Sequence, residues 1–364
     1  MEPWSRGHQG EGLQMLPLTE IIRKNPFLWD LYTLKEEYTP GNLDQHNRFI
    51  CSSRNNQDIL EPSVSGFMIQ NNFTIPYPEN TTFAVCLTHD VDEIYPPCGH
   101  ILLSSLTSLG KRDVEKFREQ VYWKLHGKEM SPYRNFNKIM DLEEKYGARS
   151  SFYFLATTTD IRRFRYNIED LKDELGQIDE RGWEVGLHGG YYAYNDFEEI
   201  LREKQRLEQV LGRKVTGYRN HYLRFEVPGS WEKLEKAGFR YDTTLGYSER
   251  VGFRNGICHP FRPYNLNTDR EVSILEIPLA IMDCTLFESV KTDDEAWELA
   301  KRLIDSVAAY KGVLCLNWHS DVFNCPFKET WELMYKKILH YCYSRNAWMT
   351  SGEAICRWWN KNEY

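Results

Sequence analysis

Five residues in this sequence have the types that hydrolytic metal chemistry needs: Asp90, Asp92, His188, His221 and His319. Each closes a run of apolar residues. Asp90 and Asp92 end "FAVCLTHDVD", His188 ends "WEVGLH", Arg219 and His221 end "VTGYRNH", and His319 ends "LCLNWH". Carboxylates and imidazoles that are costly to bury alone can share a divalent cation, whose ligands come from several elements and leave one position open for water. Hydrolysis also needs a base and an acid flanking that water. Taken singly, a histidine at a strand end is more often a hydrogen-bonded structural group, and an aspartate there is turn or cap chemistry. His89 and His259 take that reading, and His8, His46, His100, His126 and His340 read as surface or local-packing residues. The five differ because all fall at the same end of successive candidate strands.

Such a gathering requires a fold that brings strand ends together. From residue 83 onward, short apolar runs alternate with longer amphipathic stretches, the pattern of βαβ units. The candidate strands are "FAVCLTHD", "SSFYFL", "WEVGLHG", "VTGYRNH", "YDTTLG", "SILEIPL" and "GVLCLNWH". Candidate helices are "NFNKIMDLEEKYG", "IEDLKDELGQIDERG", "DFEEILREKQRLEQVLG", "SWEKLEKAGF", "DDEAWELAKRLIDSVAAYKG" and "TWELMYKKILHYCYSRN", with Gly147, Gly182, Gly212 and Gly312 as C-terminal caps. Repeats in one direction predict a parallel α/β barrel, which places polar catalytic groups at the C-terminal ends of its strands. The stretch 98–132 breaks the alternation and reads as a helical insertion. Residues 1–78, rich in aromatic residues, Pro and Asn, read as an irregular extension packed on the barrel domain of residues 79–364, with one helix interrupted at Pro26.

With 364 residues, 41% of them hydrophobic, the chain can bury a large core. Its formal charge of −8 argues against a nucleic-acid partner, which would require a basic field, and favours a small-molecule or glycan substrate. Nine cysteines with no CxxC pair and an odd total suggest reduced thiols in a cytoplasmic protein. No apolar run approaches the ~20 residues of a membrane span, and the N-terminus lacks the layout of a signal peptide.

Five segments, in order over residues 80 to 350, resemble the motifs of the polysaccharide deacetylase superfamily (carbohydrate esterase family four, NodB homology). The resemblance implies an irregular, incomplete (β/α) barrel of about seven strands and a metal-dependent hydrolase of C–N bonds. "LTHDVD" is similar to the first motif, and its Asp-x-Asp form implies Asp90 as general base and Asp92 as metal ligand. "EVGLHGGYYAY" resembles the second and implies His188 as a ligand. "GYRNHYLRF" resembles the third, whose arginine, here Arg219, holds the base. "EIPLAIMDCTL" is similar to the fourth, and "LNWHSDVF" resembles the last, implying His319 as general acid.

One departure matters. The second motif usually has two histidines four residues apart, but Tyr192 stands at that distance from His188. A phenol of pKa near ~10 must lose its proton before binding zinc. Either the site is metal-free or another residue substitutes. His221 is the best substitute, because it ends a neighbouring candidate strand where the usual motif has no histidine. The expected site is therefore Asp92, His188 and His221 around a divalent, zinc-like ion with an open position. Arg219 would lower the pKa of Asp90, and His89 would turn away.

Three functions are compatible with these residues. The first is N-deacetylation of an acetamido sugar or glycan precursor, with Tyr191, Tyr192, Tyr194, Tyr222 and Trp318 suited to stacking on a sugar ring. The second is hydrolysis of a cyclic imide or ureide. The third is a catalytically inactive glycan- or partner-binding protein, which the missing second histidine permits. For His319 the competing role is a cap on its own strand, bonded to Asp321 or to backbone.

Overall fold

The structure, a computed structural model, describes residues 18–51, 58–158 and 166–362; His8 lies outside them. Its strands are β1 (Phe83–Val91), β2 (Ser151–Leu155), β3 (Glu184–Gly189), β4 (Gly217–Asn220), β5 (Tyr241–Asp242), β6 (Tyr264–Asn265), β7 (Arg270–Glu271), β8 (Leu275–Glu276), β9 (Leu279–Met282), β10 (Val313–Asn317) and β11 (Ala347–Thr350). The main sheet runs β8-β5-β4-β3-β2-β1-β10-β9 with every pairing parallel. Residues β6 and β7 form a separate antiparallel pair.

The two ends of that order are one chain segment. Only Ile277 and Pro278 separate β8 from β9, and Pro278 has no N–H to continue a ladder. On either side of it, Ile277 N–H donates to Asp242 O and Leu279 N–H to Leu245 O. The segment thus passes from β5 to β10 and curls the sheet into a barrel-like shape. Every candidate strand of the sequence lies in this sheet.

Parallel strands covered on both faces read as near-continuous apolar runs, and all nine residues of β1 are buried. The six expected helices are present outside the sheet, and Gly147, Gly182 and Gly212 take the positive φ that ends three of them. Gly312 does not: the left-handed residue there is Lys311, and Gly312 is small because a Cβ would lie 2.5 Å from Cys258 O. Sequence reading missed β11 and the last helix, Gly352–Asn362. Strand β11 pairs with the first half of β1, and β2 pairs with the second half.

The insertion is two helices, Cys98–Gly110 and Val114–His126, the second capped by Asp113, which accepts from Lys116 N–H at 3.0 Å. In the N-terminal extension, Pro26 starts a second helix, Pro26–Tyr32, rather than bending one. Its Leu28, Leu31 and Tyr32, with Val64 and Met68, share the core of the barrel. None of the nine cysteines forms a disulfide. Among the described residues no helix is long and apolar enough to cross a membrane.

Candidate metal and acid–base centre

Successive side chains of a strand point to opposite faces, and β1 uses this to separate two kinds of chemistry. His89 faces the helical layer. Its Nδ1 is 2.7 Å from Trp318 O, its Nε2 is 2.8 Å from Glu143 Oε1, and its ring packs on Phe152. Asp90 faces inward, where its Oδ1 accepts from Arg219 Nη1 at 3.0 Å and its Oδ2 from Asn317 Nδ2 at 2.8 Å. Arg219 is fully buried and also donates to Thr88 Oγ1 and Thr243 O. Burial alone would raise the Asp90 pKa, but Arg219, then His188 and His319, outweigh it and hold the carboxyl below its ordinary range.

Asp92 follows β1, His188 lies in β3 and His221 follows β4. One ligand atom from each lies within 4.8 Å of the others. His188 Nε2 is 3.2 Å from Asp92 Oδ1, and His221 Nε2 is 3.7 Å from Asp92 Oδ2. His188 Nδ1 is 3.0 Å from Arg219 O, which can only accept, so Nδ1 carries the hydrogen and Nε2 is the nitrogen left on the side of Asp92. Asp92 Oδ1 is itself buried without a hydrogen bond. An imidazole nitrogen 3.2 Å from a buried carboxylate oxygen that accepts no hydrogen bond leaves place for a shared cation, since zinc ligands at ~2.0–2.1 Å in tetrahedral array stand about 3.3 Å apart. The residues fit such an ion. Although burial opposes ionisation, His221 and His188 hold Asp92 well below the usual carboxylate range.

His319, just beyond β10, supplies the opposite wall. Its backbone N–H donates to Asp283 Oδ2 at 2.8 Å, its Nδ1 donates to Asp283 Oδ1 at 2.7 Å, and its Nε2 is 3.7 Å from Asp92 Oδ2. Burial would lower the imidazole pKa, but the carboxylates of Asp283, Asp92 and Asp90 push it up to about 10. Its partner is Asp283, not Asp321, which accepts from Lys328 instead.

Sequence reading missed Asp283 and Asn317. Both carried the signal that marked the others, a polar residue closing or interrupting an apolar run. Asp283 directly follows β9, and Asn317 shares the inward face of β10 with Cys315.

Two cavities meet at Asp92 and His319. The smaller, 150 Å³, is lined by Arg48, Asp90, His188, His221, Tyr222 and Met282. The larger, 470 Å³, is lined by Glu93, His100, Asp283, Phe327, Lys328 and Trp331. Tyr222 therefore stands at the site. Trp318 does not: it is fully buried in the helical layer, its ring packed near Tyr335 and Phe287, because it alternates with the inward Asn317 and His319. Tyr192 is 48% exposed, lines neither cavity and packs on Tyr191. The aromatic rings that do line the larger cavity, Phe327 and Trp331, come from the loop and helix after β10.

The curled parallel sheet, with its carboxylates and imidazoles gathered at the C-terminal strand ends, has the polysaccharide deacetylase fold. A solved structure from Mycobacterium smegmatis assigned to the polysaccharide deacetylases superposes with a TM-score of 0.51 at 18% identity, over 78% of this chain and 92% of that one. Puue allantoinase superposes with a TM-score of 0.52 at 15% identity, over 85% of this chain and 99% of that one. At these identities the likeness is one of fold. No family model and no curated protein matches the sequence.

Proposed function

We propose that the protein is a metal-dependent hydrolase of an amide C–N bond, and that its reaction is N-deacetylation of an acetamido sugar or glycan precursor. The observation that carries this reading is the inequality of the two cavities meeting at Asp92 and His319, 150 Å³ on the side of Asp90 and the histidine pair and 470 Å³ on the side of the acid. An N-acetyl group divides in the same way, into a small acyl part and a large amine part.

A divalent cation, zinc by the donor set, held by Asp92, His188 and His221 would polarise the amide carbonyl and acidify water. Asp90 takes the proton of the attacking water, and Arg219 keeps it ionised for that task. His319, protonated at neutral pH and oriented by Asp283, donates from Nε2 to the departing nitrogen. The amine part then leaves into the larger cavity, where Phe327 and Trp331 contribute apolar wall against which a sugar can pack. A compact cyclic ureide, the kind of substrate an allantoinase opens, would leave most of that cavity unfilled.

Acetate release from N-acetylglucosamine, its oligomers and acetamido nucleotide sugars tests the proposal, beside ring opening of cyclic imides and ureides. Acetate release that disappears in Asp90→Asn is expected. Ring opening without acetate release would replace it with the ureide reading.

A further inference from the structure

The turn that carries His221 is backbone-strained. Tyr222 (φ 63°, ψ 11°) and Leu223 (φ 52°) are consecutive non-glycine residues in the left-handed region, a conformation that L side chains disfavour. Such a turn persists only where its surroundings hold it. The surroundings here include the N-terminal extension, outside the barrel.

Residues 43–49 form a small hairpin closed by the Leu43–Phe49 bridge. Asp44 organises it, accepting from the backbone of His46 at 2.8 Å and Arg48 at 2.9 Å and from Arg48 Nε at 2.7 Å. The hairpin lies on the strained turn. Arg48 Nη1 donates to Tyr222 O at 2.8 Å, and the ring of His46 lies 4.9 Å from that of Tyr222. His46 Nδ1 is 3.0 Å from the hydroxyl of Tyr191, whose ring meets Tyr222 edge-on at 5.3 Å. Arg224 locks the assembly from the far side, donating to His46 O at 2.8 Å and Tyr191 O at 2.6 Å. His46 thus acts beyond local packing.

We propose that the hairpin 43–49, chiefly through Arg48, is a positioning device for His221: it holds the left-handed turn that sets this imidazole beside Asp92, and so provides a ligand in place of the one Tyr192 does not supply. The proposal rests on the ligand set Asp92, His188 and His221. It also gives the N-terminal extension a role in the site, because the barrel alone leaves the carbonyl of Tyr222 without the guanidinium that anchors it.

The test is zinc affinity of the full chain, measured by competition with a chelator of known affinity, with apo-protein melting as a control for folding. Removing a group that orients a metal ligand typically weakens binding ~10–100-fold, and that loss is expected for Arg48→Ala with little change in apo-protein melting. Glycine adopts positive φ without a Cβ penalty, so Tyr222→Gly added to Arg48→Ala should recover most of the affinity. Equal affinity in Arg48→Ala and wild type overturns the proposal, as does a loss that Tyr222→Gly leaves unrecovered. A wild-type chain that takes up no zinc refutes instead the ligand set beneath it.

Discussion

Two buried clusters of carboxylate and imidazole lie back to back across β1, and their hydrogen bonding differs sharply. In the helical layer, Glu143 accepts from Ser150 Oγ at 2.7 Å, Trp183 Nε1 at 2.6 Å and Tyr335 Oη at 2.6 Å, and lies 2.8 Å from His89 Nε2. His89 places its other nitrogen on Trp318 O. Inside the barrel, Asp92 Oδ1 accepts no hydrogen bond, although His188 Nε2 lies 3.2 Å from it. Both clusters set a carboxylate against imidazole, the first fully buried and the second bordering two cavities. A saturated cluster has finished its chemistry within the protein, whereas a deficient one is completed by something that binds. His89 and Asp90 are neighbours within β1, so the pleat of a single strand assigns them to different work.

The largest effect should come from the deficient side. His319→Ala removes the proton donor, so kcat on the hydrolysed amide should fall by about 10²–10⁴-fold, on the order of 3–5 kcal/mol in the barrier, with metal content unchanged. Near-normal turnover would reduce His319 to a cap on Asp283.

On the saturated side the loss should appear in stability instead. Glu143→Ala strands His89, Trp183 and Tyr335 without their common acceptor and should cost about 3–5 kcal/mol in urea unfolding, while the folded fraction keeps its metal. Loss of metal at full stability would abolish the distinction between the clusters.

His259 gives a third and smaller case, a buried imidazole 2.9 Å from Ser65 Oγ and remote from any carboxylate cluster. Burial pushes its pKa down to about 4. The unfolded chain, with an ordinary value near ~6.5, takes up the proton first as pH falls. The stability it contributes is therefore complete above ~6.5 and is lost progressively toward pH 4, on the order of 3 kcal/mol in all. Unfolding curves between pH 7 and pH 4 should show this loss in the wild type and not in His259→Asn, which sharpens what a satisfied neutral histidine looks like.

The sheet was legible because parallel strands covered on both faces leave near-continuous apolar runs, each closed here by a polar residue. Strand β11 was not, because "AWMT" is short, half-buried and pairs with only the first half of β1. Residue types at strand ends showed Asp90, Asp92, His188, Arg219, His221 and His319, and the structure brings all six together. Their partners depend on register, which composition does not encode: Asp283 meets His319 only because β9 and β10 are neighbours. By sequence Trp318 counts among the strand-end aromatic residues suited to stacking on a sugar, and alternation along the chain turns it the other way. The hairpin 43–49 was beyond sequence reading, since Arg48 and Tyr222 are 174 positions apart.

The central claim is that Asp92, His188 and His221 share a cation. Metal analysis of tag-free protein, reconstituted with zinc and freed of excess by gel filtration, tests it most directly, with Asp92→Ala as the companion. One tightly held ion per wild-type chain and almost none in the variant is the expected result. A wild-type chain that retains no metal yet still hydrolyses its substrate, or an Asp92→Ala variant that retains as much metal as the parent, would contradict it.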